Sequence, residues 1–207
     1  MNMNLIKIIG STPRYRLSRA LPGICALWLA IAIAGCGRSQ EDKMKDAAGW
    51  GVRALQLFNE QQYNEALKLS REAMVLNTEL QNDTALAEDY FTLASCQRQL
   101  GQYDSALISY RTAVQYFHAM ANQRLERHAQ IALAEFYFLM NNDRDAVSVA
   151  HNAATAAKLF SGSDDVYRGL MVVARASHRM KRYDVETRTV SELLQIDERI
   201  YHRRDGN

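Results

Sequence analysis

The chain has 207 residues, of which 48% are hydrophobic and 23% are charged, and its formal net charge is +2. This composition excludes a disordered or collagen-like chain, and the length suits one ordinary domain that needs no disulfide or metal for stability. Residues 1–35 hold four basic and no acidic residues, so the remaining 21 basic and 23 acidic residues give a near-neutral body of charge −2. Such a body excludes a non-specific nucleic-acid binder.

Residues 1–35 are predicted to be a targeting segment. A basic stretch precedes an apolar run of about eleven residues, ICALWLAIAIA, which is too short for a membrane-spanning helix of about 20 residues. This layout is typical of a secretory signal peptide. The run ends in Ile33-Ala-Gly-Cys36, and the segment resembles the signal peptide of bacterial lipoproteins, in which the cysteine is acylated and becomes the new N-terminus. An uncleaved signal anchor with an incidental Cys36 is the alternative.

The lipoprotein resemblance implies a cell-envelope protein that is anchored to a membrane through lipid on Cys36. Gly37, rather than an aspartate, follows that cysteine, so the resemblance favours the outer membrane, with the protein facing the periplasm. The polar residues 36–46 are predicted to be the lipidated tether. Cys25 would leave with the signal peptide, so Cys96 stays alone and is predicted to be a small core residue rather than a nucleophile.

The body of the chain is a repeat with a period of 40 residues. Small residues recur in register, at Ala54, Ala94, Ala134 and Ala174, at Ala66, Ala106 and Ala146, and at Ala73, Ala113 and Ala153. Apolar residues at i, i+3, i+4 and i+7 spacing predict two amphipathic helices in each of four units. The predicted helices span 47–60, 63–79, 84–100, 103–120, 124–140, 143–160, 164–180 and 183–202.

The second unit carries a known pattern through Tyr90, Leu93, Ala94, Gly101, Tyr103, Ala106, Tyr110 and Ala113. These residues resemble the tetratricopeptide repeat, which implies an all-α antiparallel helix-pair solenoid over residues 47–202, followed by a tail at 203–207. Close helix contacts are expected at the repeat-packing residues Ala66, Ala94, Tyr103, Ala106, Ala113, Ala134, Ala146, Ala174 and Tyr183. Since the family period is 34 residues, each unit must have longer helices or longer turns.

The fourth unit departs from the pattern, with Lys181 in place of the turn glycine and Glu186 in place of the alanine. It is interpreted as a C-terminal cap, because terminal repeats are commonly atypical. The competing interpretation is that the chain continues in a longer protein.

The sequence contains no motif that predicts an active site. None of the five histidines has zinc-ligand spacing, and neither a nucleophile elbow nor a glycine-rich phosphate loop is present. Acidic pairs such as Asp164-Asp165 suit the starts of helices, where they favour the helix dipole. The sequence therefore predicts a protein that is not an enzyme and has no cofactor or metal.

The tetratricopeptide resemblance also implies a concave groove lined by the first helix of each pair. Carried onto this sequence, the groove positions are Phe91, Arg98, Ile131, Glu135, Phe138, Arg168, Met171, Arg175 and Arg179. Such a surface suits an extended or helical peptide with hydrophobic anchors and an acidic or carboxylate end. The alternative for several of these aromatic residues is that they belong to the core between repeats.

The predicted function is that of a non-catalytic, membrane-tethered adaptor that holds a protein or peptide partner in an envelope complex. A sensory or regulatory ectodomain of a longer signalling protein is a second hypothesis. A third class, small-ligand binding, predicts a closed polar pocket, and no cluster of convergent polar residues supports a small-molecule substrate.

Overall fold

The computed structural model describes residues 39–159 and 163–204, and all secondary structure in these ranges is helical. The predicted signal peptide, Cys36 and the end of the predicted tail lie outside the described residues. The described ranges contain eight helices: α1 (Gln40–Asn59), α2 (Tyr63–Glu79), α3 (Asp83–Gln99), α4 (Tyr103–Ala119), α5 (Gln123–Leu139), α6 (Asp143–Leu159), α7 (Ser163–Arg179) and α8 (Tyr183–Arg204). Each helix packs against the next along the chain, as a helix-pair solenoid requires. The all-α prediction is confirmed.

Longer helices account for the 40-residue period. Helices α2 to α7 have 17 residues each, and three residues separate each of these helices from the next. Helix α1 begins at Gln40, so most of the segment predicted as tether is helical. The Ser39 hydroxyl caps the N-terminus of α1 by accepting a hydrogen bond from the Asp42 amide at 3.1 Å. Helix α8 continues to Arg204, two residues past its predicted end.

Helices α1 to α5 and α7 share one turn geometry at their C-terminal ends, with a left-handed residue just after the helix. Gly101 has a φ of 71°, a conformation that glycine adopts without steric conflict because it has no Cβ atom. Lys181 adopts the same conformation with a φ of 59°. The Arg182 amide then donates to the Ser177 carbonyl at 2.8 Å, as the Gln102 amide donates to Gln97. The fourth unit therefore keeps the turn although it lacks the glycine.

Alanines form the contacts between helices. The residues Ala66, Ala94, Ala106, Ala113, Ala134 and Ala146 are fully buried, and Ala174 is almost so. Small side chains at these positions allow the helices to approach closely. The predicted packing residues Tyr103 and Tyr183 differ, because both begin a helix at the edge of the repeat and stay substantially exposed. Their rings lie 6.0 Å from Phe136 and 6.1 Å from His178, respectively.

Candidate functional site

A pocket of about 700 Å³ lies between α3, α5 and α7, the first helices of three consecutive pairs. Seven of the nine predicted groove residues line it: Arg98, Glu135, Phe138, Arg168, Met171, Arg175 and Arg179. The repeat register carries these positions to one side of the helix stack, since equivalent residues of successive first helices face the same way. Gln99, Tyr103, Leu139, Tyr167 and Val172 complete the lining.

The other two predicted groove residues are not in the pocket. Ile131 is fully buried, so the expectation that it lines the groove is wrong; it belongs to the core. Phe91 is half-buried and packs edge-on against Tyr110, with ring centroids 5.8 Å apart, and against His128 at 5.6 Å. Both residues therefore contribute to the packing between helices rather than to the pocket.

Two tyrosines of the pocket were not predicted as binding residues. Tyr103 was assigned to packing alone, and its partial exposure comes from its place at the start of α4. Tyr167 is partly exposed and directly precedes Arg168 on α7. The equivalent residues 40 and 80 positions earlier are Arg127 and Ala87, so the repeat pattern gives no reason to expect an aromatic residue at this position.

Arg168 is neutralised within the protein. Its Nε and Nη2 atoms donate to the two carboxylate oxygens of Glu135 at 2.9 and 3.0 Å, a bidentate pair between α7 and α5. Partial burial lowers the pKa of Arg168, but the hydrogen bonds and charge of Glu135, with Asp164 and Asp165, outweigh burial and raise the pKa overall. This pair joins two repeats and leaves little free charge for a ligand.

Arg179 is also held by the protein itself. Its Nε donates to both carboxylate oxygens of Asp143 at 2.9 and 2.8 Å, and its Nη atoms donate to the Asn141 side chain at 2.9 Å and the Phe138 carbonyl at 2.7 Å. The hydrogen bonds to Asp143 raise the pKa of Arg179. Two of the three pocket arginines on α7, Arg168 and Arg179, therefore have carboxylate partners.

Two pocket arginines, Arg98 and Arg175, form no salt bridge with a carboxylate of the described residues. The Arg175 guanidinium lies over the Phe138 ring, 4.8 Å from its centroid, and the Arg179 guanidinium lies 4.0 Å from the same ring. A cation over an aromatic face is stabilised while its N–H groups stay available. The pocket thus combines two available guanidinium groups with the apolar surfaces of Phe138, Tyr167, Met171 and Leu139.

Burial shifts the pKa of ionisable groups outside the pocket, among them Asp89 and Cys96. Burial raises the pKa of Asp89 to about 6, the hydrogen bond from the Asn77 amide at 2.6 Å lowers it in part, and the Glu88 charge raises it. Burial also raises the pKa of the Cys96 thiol to about 11. Cys96 is fully buried, so it is a neutral core residue at physiological pH, as the sequence predicted.

Neither a metal centre nor a membrane span is found in the described part of the chain. Within residues 39–159 and 163–204, no group of three or more histidine, cysteine, aspartate or glutamate residues could hold a metal ion. The helices of the same ranges are too short or too polar to cross a membrane.

The fold and the pocket define a tetratricopeptide-like helical repeat protein, a class typical of protein–protein interaction adaptors. The chain belongs to the SNAP (soluble NSF attachment protein) family, whose model matches residues 13–159. No curated protein matches the sequence.

A similar fold occurs in aspartyl phosphate phosphatase F from Bacillus subtilis. Its crystal structure superposes with a TM-score of 0.72 at 12% sequence identity, over 77% of this chain. This chain spans only 42% of the phosphatase chain. At this identity the likeness concerns the fold alone.

Proposed function

We propose that this protein is a non-catalytic adaptor that is tethered to a membrane and binds a protein or peptide partner in the pocket of α3, α5 and α7. One observation carries the proposal: Arg98 and Arg175 have no carboxylate partner among the described residues, in a pocket that otherwise pairs its arginines internally. Unpaired guanidinium groups beside exposed aromatic and aliphatic surface suit an anionic partner with apolar side chains.

The partner best suited to this pocket is an acidic peptide segment with hydrophobic anchors. Its carboxylates would pair with Arg98 and Arg175, while apolar side chains would contact Tyr167 and Met171. Aromatic side chains and arginines are the residue types that dominate binding energy at protein interfaces. The description of the matching family as an attachment protein supports a binding role rather than catalysis.

The tether belongs to the same proposal. Lipid on Cys36 would hold the start of α1 close to the membrane, because only Gly37, Arg38 and Ser39 separate the cysteine from the helix. The pocket would then recruit its partner to an envelope complex at the inner face of the outer membrane. The lipoprotein motif and the basic segment before it support this location.

The test is a charge reversal at the two available arginines. The double variant Arg98→Glu and Arg175→Glu is compared with Arg71→Glu and Arg188→Glu, a pair of exposed arginines outside the pocket that changes the net charge by the same amount. Partners are captured from membranes by crosslinking and quantified by mass spectrometry. We expect the pocket variant to lose a partner that the control variant retains, and capture by the unmodified protein to fall as salt rises. Equal recovery of all partners by both variants would exclude the pocket as the binding site.

A further inference from the structure

The last helix, α8, exposes apolar residues at repeat positions that earlier units bury. Val190 is 41% exposed, whereas the residues at the same register in the other units, Ser70, Tyr110 and Ala150, are fully buried. The following helix covers this position inside the repeat. The Tyr110 ring lies 5.5 Å from that of Phe136 on α5, and a Cβ placed on Gly169 of α7 would lie 3.1 Å from the Ala150 carbonyl.

The next turn of α8 shows the same contrast. Leu194 is 59% exposed, although Ala154, one period earlier, is fully buried. Val190 and Leu194 line a groove of about 630 Å³ between α7 and α8, together with Tyr167, Met171 and Leu193. Because a first helix packs against both helices of the preceding pair in the repeat, this groove has the position and lining of a seat for one more first helix.

Helix α1 exposes the complementary face. Val52 is 72% exposed, whereas its register equivalents Ala132 and Val172 are buried. Gly49 is the equivalent of Gly169, whose missing side chain allows close approach to α6: a Cβ there would lie only 2.9 Å from the Ala154 Cβ. A Cβ on Gly49 would meet nothing within 4 Å. In the described residues, the packing face of the first helix α1 and that of the second helix α8 are therefore both exposed to solvent.

We propose that α1 of one copy docks against α8 of a second copy, so that the protein self-associates head to tail. Within one chain, Gly169 on α7 lies against Ala150 and Ala154 on α6. If the 40-residue register continues across the contact, Gly49 of one copy lies in the same way against Val190 and Leu194 of the other copy. The contact between α4 and α5 already holds a larger side chain at this register, because Val114, the equivalent of Leu194, packs in the cluster that contains Ala129, the equivalent of Gly49. The contact thus repeats, between two chains, the interface that joins consecutive units within one chain.

This association is expected to be reversible. We expect the single added helix to bury less surface than the roughly 1,200–2,000 Å² that stable complexes bury. Because the two faces differ, the contact is heterologous and leaves one open face at each end, so that longer stacks form as the concentration rises.

Sedimentation velocity of the full-length chain in detergent micelles tests the proposal. The sedimentation coefficient of the unmodified protein should rise with concentration. Val52→Glu and Leu194→Glu should each abolish the rise, because each places a charge in an apolar contact. An equimolar mixture of the two variants should form a dimer and nothing larger, since one intact α1 face meets one intact α8 face.

Ile108→Glu is the matched control, because Ile108 is exposed on α4, away from both faces, and it should associate like the unmodified protein. Circular dichroism should show unchanged helicity for all three variants, and lysine at either position should act like glutamate. The proposal is overturned if the unmodified protein remains monomeric at its highest soluble concentration. It is equally overturned if Val52→Glu still associates, which would indicate a symmetric α8–α8 contact, or if the mixture forms no dimer.

Discussion

The four arginines of the pocket have two different roles, which residue type alone does not reveal. Arg168 and Arg179 hold α7 against α5 and the start of α6 through Glu135 and Asp143, whereas Arg98 and Arg175 are available to a ligand. The pairs join residues that are 33 and 36 positions apart in sequence. No periodic pattern marks such pairs, so sequence reasoning placed the arginines in the pocket without recognising that two are already neutralised.

Charge reversal should separate these two roles. Arg179→Glu places a carboxylate beside Asp143 and removes the hydrogen bonds to Asn141 and Phe138, so it should lower the free energy of unfolding by about 1–2 kcal/mol. Arg175→Glu should change it by about 0.5 kcal/mol or less, as is usual for a surface substitution. Urea unfolding of both variants measures the difference. Equal stability of the two would contradict the structural role assigned to Arg179.

Asp89 should make stability depend on pH. Its pKa is about 6 in the folded protein against a usual value of 3.8, so the folded state binds more protons than the unfolded state between these values. Stability from this group is therefore greatest below about pH 4 and falls as the pH rises through 6, by at most about 3 kcal/mol. Asp89→Asn cannot ionise, and its amide oxygen can still accept the bond from Asn77. The stability of this variant relative to the unmodified protein should increase from pH 4 to pH 7 in urea unfolding; a constant difference would show that the Asp89 pKa is ordinary.

At the scale of helices, small residues in register were sufficient to predict the fold. Alanines spaced 40 residues apart mark the helix contacts, and all of them are buried in the structure. The boundaries at the ends were harder to predict, because the polar residues before position 47 carry no apolar periodicity and still continue α1. Ile131 was misplaced for a related reason: in a stack of helices, both the pocket side and the core side of a first helix carry apolar residues.

The register can be tested by a single substitution in the second unit. Ala106 is fully buried between helices, so glutamate there would overpack the contact and bury a charge, at a cost of about 3 kcal/mol or more. Glu186 has the same register in the fourth unit, but it is partly exposed and bonds the His178 ring at 2.9 Å. Glu186→Ala is the control and should be neutral or slightly stabilising. Thermal melting of both variants measures the contrast, and an unchanged melting temperature for Ala106→Glu would show that the register is wrong.

The whole molecule combines a predicted lipid anchor with a helical repeat. If Cys36 is acylated, Cys36→Ser should abolish incorporation of labelled palmitate and release the protein from the membrane fraction or leave it uncleaved. The control is Cys96→Ser, which alters a buried core residue and should keep its label. Because one acyl chain anchors only marginally, stable anchoring implies several chains. Equal labelling of the Cys36 variant and the unmodified protein would contradict the lipoprotein prediction.

Site-specific photocrosslinking in intact cells tests whether the pocket binds a protein partner. A photoreactive phenylalanine analogue replaces Tyr167 in the pocket, and in separate variants Ile108 or Val75, which are exposed on α4 and α2. We expect a discrete crosslinked product from position 167 that disappears when Arg98 and Arg175 are changed to glutamate, and no such product from positions 108 and 75. A partner that crosslinks from position 108 or 75 and not from position 167 would contradict this expectation.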